Sequence, residues 1–140
     1  MKVIYLATIS YLLGSIPFAY IFARAFKGID IRRVGSGNVG TTNVVLRVGV
    51  LPGILTALGD SGKGMLAVYL ARLNASDIPS ASLIALLFAV LGHNWSIWLH
   101  FQGGGGVATF AGGLFLLSNY LIIYLGILWA ASFILTRHKY

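Results

Sequence analysis

The chain has 140 residues, of which 58% are hydrophobic and only 9% are charged. A soluble domain usually carries about 25% charged residues, so the composition excludes an ordinary soluble fold and indicates a membrane protein. The net charge is +7 and there is no cysteine, which excludes disulfides, a thiolate nucleophile and cysteine-based metal sites. A nucleic-acid-binding domain would carry its charge on a polar, lysine-rich surface. We therefore expect no nucleic-acid partner and assign the charge to the flanks of membrane spans, facing anionic lipid headgroups.

The apolar segments predict an all-α membrane protein in which residues 1–140 form a single membrane domain, a polytopic bundle of about five transmembrane helices. The first span covers residues 3–23, which is too long for the apolar core of a signal peptide. Pro17 lies inside this span and predicts a kink. The second span covers residues 49–71 and contains two charged residues of opposite sign.

The second half of the chain holds a long uncharged stretch. No Asp, Glu, Lys or Arg occurs from Ile78 to Thr136, and as helix this stretch would equal about three bilayer thicknesses. Breaks at the glycine run 103–106 and at Ser118-Asn119 divide it into spans at about 80–99, 106–118 and 120–136.

The basic residues predict the orientation. Residues 24–47 contain five Lys or Arg against one Asp, and such an excess marks a cytoplasmic loop. The N-terminus is then outside, and the glycine-rich loops lie at the cytoplasmic face.

The first glycine-rich segment has the composition of a phosphate-binding loop. It reads Gly35-Ser36-Gly37-Asn38-Val39-Gly40-Thr41-Thr42-Asn43. The G-x-G-x-x-G match is not a dinucleotide fingerprint, because no strand precedes it and no βαβ unit fits. Glycines let successive N–H groups turn toward one anion, and a helix opening at Thr41 would add its free N–H groups. Ser36, Asn38, Thr42 and Asn43 supply neutral donors and Arg47 a positive charge, so we favour phosphate binding over a plain flexible loop.

Two other segments carry polar groups inside the apolar stretches. Asp60 and Lys63 stand three residues apart on one helical face and can pair; their spacing leaves a functional role and a structural ion pair equally open, although charges within membranes are usually functional. His93 and Ser96 are spaced as a pair, but no neighbouring acid orients the histidine, and hydrogen bonds between helices are favoured over a nucleophilic serine. The run Gly103–Gly106 is either another anion-binding turn or a hinge. No ligand spacing predicts a metal site.

Taken together, these motifs resemble the acyl-phosphate-dependent glycerol-3-phosphate acyltransferases of bacterial membranes, the PlsY family. The matching segments, which extend over nearly the whole chain in order and spacing, are Tyr11-Leu12-Leu13-Gly14-Ser15-Ile16-Pro17-Phe18, the segment 35–43, Asp60-x-x-Lys63-Gly64, Gly92-His93 and Phe101-x-Gly103-Gly104-x-Gly106-Val107-Ala108-Thr109.

The resemblance implies transfer of a fatty acyl group from acyl phosphate to glycerol 3-phosphate, forming lysophosphatidate, in the inner membrane of a bacterial cell. The expected partners are the two substrates and membrane lipids, with no cofactor and no metal. The expected catalytic residues are His93, Ser36 and Arg47. The expected substrate- and phosphate-binding residues are Gly35, Ser36, Gly37, Asn38, Gly40, Thr42, Asn43, Asp60, Lys63, Gly103, Gly104, Gly105 and Gly106.

The chain departs from the family pattern in its third motif and in its length. Members usually carry lysines where this chain has Gln102 and Gly105, and an arginine where it has Leu46, with Arg47 following. Members also continue with further spans and a C-terminal polar motif, so the chain is expected to be short at its C-terminus. The lost lysines predict a weak enzyme, and Gln102→Lys is the cleaner restoring change if the φ of Gly105 is positive.

The rival function is a non-catalytic anion-binding membrane protein, either a degenerate paralogue or a transporter-like subunit. The missing lysines favour the degenerate paralogue. Transporters tend to show inverted repeats with paired broken helices, and the sequence contains no such symmetry.

Overall fold

A computed structural model describes residues 1–121 and 123–128 of the chain. Within these residues the fold is helical and contains no strand, which confirms the all-α prediction. The α-helices are α1 (Lys2–Ser15), α2 (Phe18–Lys27), α3 (Thr41–Arg47), α4 (Val50–Asn74), α5 (Ala81–Asn94) and α6 (Val107–Leu117), with short 3₁₀ turns at Ile31–Arg33 and Ile97–Leu99. A further apolar helix, Asn119–Leu128, follows. Most of the expected span 120–136 falls outside the described residues.

The described helices outnumber the predicted spans for two reasons. The first span is broken into α1 and α2 rather than kinked, because Pro17 disfavours helical geometry at Ile16, whose ψ is 116°. The loop predicted for residues 24–47 contains the short helix α3. Two segments, Lys2–Lys27 and Ala81–Leu99, are long and apolar enough to cross a membrane by length and composition.

The packing places small residues inside and large ones outside. One buried cluster is mainly alanine, including Ala67, Ala71, Ala85 and Ala89 at 0% exposure. By contrast, Leu58 and Leu83 are more than 60% exposed. Small residues at helix contacts and large apolar residues facing outward are typical of helix bundles in lipid, where there is no hydrophobic drive to bury leucine.

Two glycines set the closest helix approaches. Gly92 of α5 lies against the backbone of Tyr11 and Ser15 in α1, and Gly64 of α4 lies against the backbone of Thr109 in α6. A Cβ at either position would overlap main-chain atoms that cannot rotate away. These two contact lines, which we call the glycine seams, hold α1 on α5 and α4 on α6.

Candidate active site

The polar segments converge on one cavity of about 370 Å³. Four parts of the chain form its walls: the loop into α3, the middle of α4, the end of α5, and the segment that leads into α6. The lining residues are Asn38, Gly40, Thr41, Thr42, Ala57, Asp60, His93, Gly105, Gly106, Val107, Ala108 and Ala111. Residues far apart in the sequence therefore meet at a single concave site, as expected of a ligand pocket.

A buried cluster of polar side chains lies at the base of the cavity. Asp60, His93 and Lys63 are 1%, 7% and 4% exposed, respectively. The Nζ of Lys63 lies 2.9 Å from Oδ1 of Asp60. Nδ1 of His93 lies 3.3 Å from the hydroxyl of Thr109 and 3.5 Å from Asp60 Oδ1. The i, i+3 pairing predicted for the two charged residues of α4 is thus present, and it is joined to α5 and α6.

The Asp60–Lys63 contact is an ion pair without hydrogen-bond alignment. Although the distance is short, Asp60 Oδ1 has no hydrogen-bond donor in the described part of the chain. The ammonium instead donates to the carbonyl of Ile16 at 2.8 Å, a group displaced from regular helix by the break before Pro17. The break between α1 and α2 therefore fixes Lys63, and the unmatched carboxylate oxygen stays available at the cavity base.

The start of α6 directs backbone donors at the same cavity. Gly106, with φ of 73°, caps α6 without a side-chain hydrogen bond, and the N–H groups of the first helical turn lack intrahelical acceptors. Gly106, Val107 and Ala108 all line the cavity. Such N–H groups, together with the helix dipole, attract anions. Gly104 is different, since its N–H donates to the carbonyl of His93 at 3.1 Å and so anchors the glycine run to α5.

The loop before α3 is held by its own side chains. The amide nitrogen of Asn43 donates to the carbonyls of Ile31, Val34 and Asn38 at 3.2, 3.1 and 3.1 Å, and its oxygen accepts from the N–H of Ser36. All polar atoms of this buried side chain are used within the loop. Asn43 therefore shapes the loop and has no group left for a ligand.

An ion pair braces the same loop nearer its start. Arg32 donates to both carboxylate oxygens of Asp30, at 3.0 and 2.7 Å. The hydrogen bond from this guanidinium lowers the pKa of Asp30 to about 2. The pair stays charged at neutral pH and anchors the turn that precedes the glycine-rich segment.

The structure divides the predicted site residues into three groups. Those at the cavity are Asn38, Gly40, Thr42, Asp60, His93, Gly105 and Gly106. Those in a narrow cleft behind it, beside Asp60 and His93, are Lys63 and Gly103, with Gly104 next to the His93 ring. Those outside the cavity lining are Gly35, Ser36, Gly37, Asn43 and Arg47.

The residues outside the lining support the loop. Gly35 and Gly37 have φ of 61° and 72°, Ser36 accepts from the N–H of Asn38 at 3.3 Å, and the Arg47 side chain packs over Gly35. The Ser96 hydroxyl donates to the Ser15 carbonyl at 2.6 Å, a hydrogen bond between segments of the kind that the sequence favours over a nucleophilic serine. It joins α1 to the end of α5 and does not contact a base.

The two positions that lack lysine differ in their surroundings. Gln102 is exposed and does not line the cavity. Gly105 lines it, its φ is not positive, and a Cβ there would meet no atom within 4 Å. The condition under which Gln102→Lys would be the cleaner change, a positive φ at Gly105, is therefore not met, and Gly105 is the better place for a longer side chain.

Sequence reasoning missed one residue of the cavity lining, Thr41, and one residue that contacts His93 from behind the lining, Thr109. Thr41 lines the cavity and its buried hydroxyl has no hydrogen-bond partner among the described residues. Thr109 contacts His93 from a different helix. Thr41 lay inside the singled-out motif and could have been chosen for its hydroxyl, whereas no local spacing indicates the Thr109 contact.

Comparisons with known proteins agree with one another. The family model described as glycerol-3-phosphate acyltransferase matches residues 4–140. Glycerol-3-phosphate acyltransferase 2 of Moorella thermoacetica is 45% identical over 93% of this chain and 66% of its own length. Glycerol-3-phosphate acyltransferase of Carboxydothermus hydrogenoformans is 42% identical over 97% of this chain and 68% of its own length.

Solved structures give the same result. The crystal structure of PlsY (YgiH), an integral membrane glycerol 3-phosphate acyltransferase, in its glycerol 3-phosphate form superposes with a TM-score of 0.85 at 35% identity, covering 96% of this chain and 66% of that one. Its lysophosphatidic acid form gives a TM-score of 0.82 at 34% identity, covering 95% of this chain and 65% of that one. The chain thus spans about two thirds of the length of these relatives. With its helical membrane fold and a family match from residue 4 to residue 140, the chain belongs to the glycerol-3-phosphate acyltransferase family.

Proposed function

We propose that this chain carries the acyl-transfer site of a glycerol-3-phosphate acyltransferase, which moves a fatty acyl group from acyl phosphate to glycerol 3-phosphate. The observation that carries the proposal is the convergence of the α6 N-terminus and the Asp60–Lys63–His93 cluster on one cavity. Relatives named as glycerol-3-phosphate acyltransferases, and PlsY structures described in glycerol 3-phosphate and lysophosphatidic acid forms, support the same reaction.

The phosphate groups of the substrates would bind mainly through uncharged donors. The described lining of the cavity contains no Lys or Arg side chain. Donors are the N–H groups at the start of α6, the amide of Asn38 and the hydroxyls of Thr41 and Thr42. Lys63 sits behind Asp60 and neutralises that carboxylate, so that Asp60 does not repel an incoming anion.

The reaction needs only positioning and charge stabilisation. The 1-hydroxyl oxygen of glycerol 3-phosphate forms a bond to the acyl carbon, and the bond from that carbon to the phosphate oxygen breaks. The hydroxyl proton leaves with the departing phosphate or passes to a neighbouring base, and inorganic phosphate is released. Because acyl phosphate is already activated, holding the two reactants in line and stabilising the oxyanion supply most of the acceleration.

His93 would orient one of the reacting groups. The Thr109 hydroxyl lies 3.3 Å from Nδ1; when it donates to Nδ1, the ring proton is on Nε2, which faces the Gly104 segment. In this tautomer Nε2 is a donor, able to hold a phosphate or carbonyl oxygen. Thr109 thus acts as a positioning residue for His93.

Orientation and location belong to the same proposal. Residues 1–140 would form one membrane domain in the bacterial inner membrane, with the N-terminus outside and the basic loop and cavity mouth at the cytoplasmic face. Acyl phosphate would enter with its tail in the lipid, and its phosphate would reach the cavity from the headgroup level.

A single preparation tests the proposal against the non-catalytic alternative. The purified chain in detergent is supplied with acyl phosphate and labelled glycerol 3-phosphate, and lysophosphatidate is measured beside equilibrium binding of glycerol 3-phosphate. Product that disappears in His93→Gln supports acyl transfer. Saturable binding without product would support a degenerate anion-binding paralogue, and absence of both would reject the cavity as the site.

A further inference from the structure

An apolar groove lies outside the break between α1 and α2, apart from the acyl-transfer cavity. Its volume is about 400 Å³, and its lining residues are Ile16, Pro17, Tyr20, Ile21, Trp98 and Leu99. None of them lines the cavity. Ile21 and Trp98 are 42% and 62% exposed, so the groove opens on the outer surface of the bundle. Its walls suit a hydrocarbon chain.

One end of this groove carries arginines. The guanidinium carbons of Arg24 and Arg32 lie 5.5 and 5.3 Å from the ring centroid of Tyr20, within the range of a cation–π interaction. Arg24 also donates to the Tyr20 hydroxyl at 3.2 Å, and Arg32 donates to the carbonyl of Leu99 at 3.5 Å. Two lining residues of the groove therefore hold the guanidinium groups in place.

The charge at this end is not neutralised. Asp30 is the one acid of the loop, and its carboxylate oxygens are taken up by Arg32. The contact from Nε of Arg33 to Oδ2 of Asp30 is longer, at 3.9 Å, and the Arg33 side chain is 85% exposed. Arg24 forms no ion pair in the described part of the chain. Arg24, Arg32 and Arg33 against Asp30 thus leave a net charge of +2 in this cluster, two of whose guanidinium groups lie at Tyr20 of the groove.

We propose that this groove is a binding site for an anionic phospholipid of the surrounding bilayer. The lipid phosphate lies at Arg24 and the neighbouring turn that carries Arg32 and Arg33, and one acyl chain runs along Ile21 and Trp98. Charge complementarity selects this occupant, since a zwitterionic lipid brings a headgroup cation that offsets its phosphate and a free phosphate leaves the apolar walls uncovered. The groove shares no lining residue with the acyl-transfer cavity, and it shares only Ile16 and Pro17 with the narrow cleft behind that cavity.

Tryptophan quenching tests the proposal directly. Trp98 is made the sole tryptophan by Trp95→Phe and Trp129→Phe, and the full chain is placed in phosphatidylcholine nanodiscs. Dibrominated phosphatidylglycerol or dibrominated phosphatidylcholine is then added at rising mole fraction. Each basic residue near an anionic lipid contributes about a fivefold gain in affinity. With two such residues, dibrominated phosphatidylglycerol should quench Trp98 at a mole fraction about 25-fold lower than dibrominated phosphatidylcholine does.

The arginine variants give the matched comparison. Arg24→Gln and Arg33→Gln should each reduce the phosphatidylglycerol preference about fivefold. Arg72→Gln removes the same charge at a residue whose side chain donates a hydrogen bond to the Leu116 carbonyl and does not contact the groove. This variant should leave the phosphatidylglycerol preference unchanged. As a second measurement, native mass spectrometry of the unmodified chain after detergent washing should detect complexes with phosphatidylglycerol in preference to complexes with phosphatidylcholine.

Each other result overturns the proposal. Equal quenching by the two brominated lipids means ordinary bilayer contact. Loss of preference in the Arg72→Gln variant means a general charge effect. Reversal of the quenching by inorganic phosphate means that the arginines take a soluble anion. Reversal by a non-hydrolysable acyl phosphonate assigns the groove to the acyl donor.

Discussion

Introducing a lysine at position 105 tests the cavity most directly. Gly105 lines the cavity, has open space around a Cβ, and does not need a positive φ. A lysine there can reach over the cavity mouth without displacing backbone. The Gly105→Lys chain should therefore transfer acyl groups faster than the natural chain.

The size of the gain follows from the position of the new charge. An ammonium about 4 Å from a phosphate gains about 4 kcal/mol at an effective dielectric constant of about 20, whereas an exposed ion pair contributes about 0.2–1 kcal/mol. Position 105 is exposed but faces a walled cavity, so an intermediate value of about 1.4–2.8 kcal/mol applies. This corresponds to a gain of about 10–100-fold in kcat/KM.

The assay measures initial rates of lysophosphatidate formation at several concentrations of acyl phosphate and glycerol 3-phosphate. Gly105→Gln is the matched control, because it adds a side chain of similar length without charge. Gln102→Lys is the positional control and should change the rate little, since residue 102 does not line the cavity.

Two results would refute this reasoning. If the glutamine variant accelerates transfer as much as the lysine variant, the gain comes from stiffening the glycine run. If Gln102→Lys accelerates transfer and Gly105→Lys does not, the phosphate does not bind where the start of α6 meets the cavity.

Three further predictions concern the loop and the orientation. Gly37→Ala should weaken glycerol 3-phosphate binding by distorting the loop, because alanine is strained at φ of 72°. Asn38→Ala should weaken the binding about 10–150-fold, because it removes a donor to a charged group. Unchanged dissociation constants in both variants would contradict the assignment of the binding site to this loop. Single cysteines at Arg33 and in residues 74–77 should react with an impermeant thiol reagent from opposite sides of the membrane, and labelling from one side would exclude the proposed topology. The Asp30–Arg32 pair lowers the pKa of Asp30 from 3.8 to about 2, so its stabilisation, at most about 2 kcal/mol, is present above pH 4 and is lost as the pH falls from about 4 towards 2. The difference in detergent unfolding midpoint between the natural chain and Asp30→Asn should shrink over that range, and a constant difference would show that the ion pair is not its source.

Local spacing predicted the parts of the site that lie on one helix. Asp60 and Lys63 pair because residues three apart share a helical face. The start of α6 at Val107 agrees within one residue with the predicted span 106–118, and α3 begins at Thr41, where the glycine-rich segment left room for a helix. These features depend only on near neighbours in sequence.

Contacts between distant segments could not be read in the same way. The partner of His93 is Thr109, on another helix, and the carbonyl that fixes Lys63 is 47 residues away. Within the glycine-rich loop before α3, composition identified the polar side chains but did not show whether they face the cavity or the interior of the loop. Asn43 turns inward to three carbonyls, and Arg47 packs over Gly35, because the tight turn at Gly35 and Gly37 leaves inward-facing acceptors that must be satisfied.

The glycine seams have a consequence for how such a protein can adapt to different membranes. His93 follows Gly92 directly, and Thr109 lies opposite Gly64, so both side chains are located by main chain resting on main chain. A thicker, thinner or more fluid bilayer acts on the outward-facing leucines and can tilt each helix pair as a unit. The leucines can therefore drift to match lipid composition or growth temperature while His93 keeps its position against α1, and Thr109 its position against α4. A single methyl group added at Gly92, by contrast, would push α5 and its histidine away from α1, and one added at Gly64 would push α6 and Thr109 away from α4.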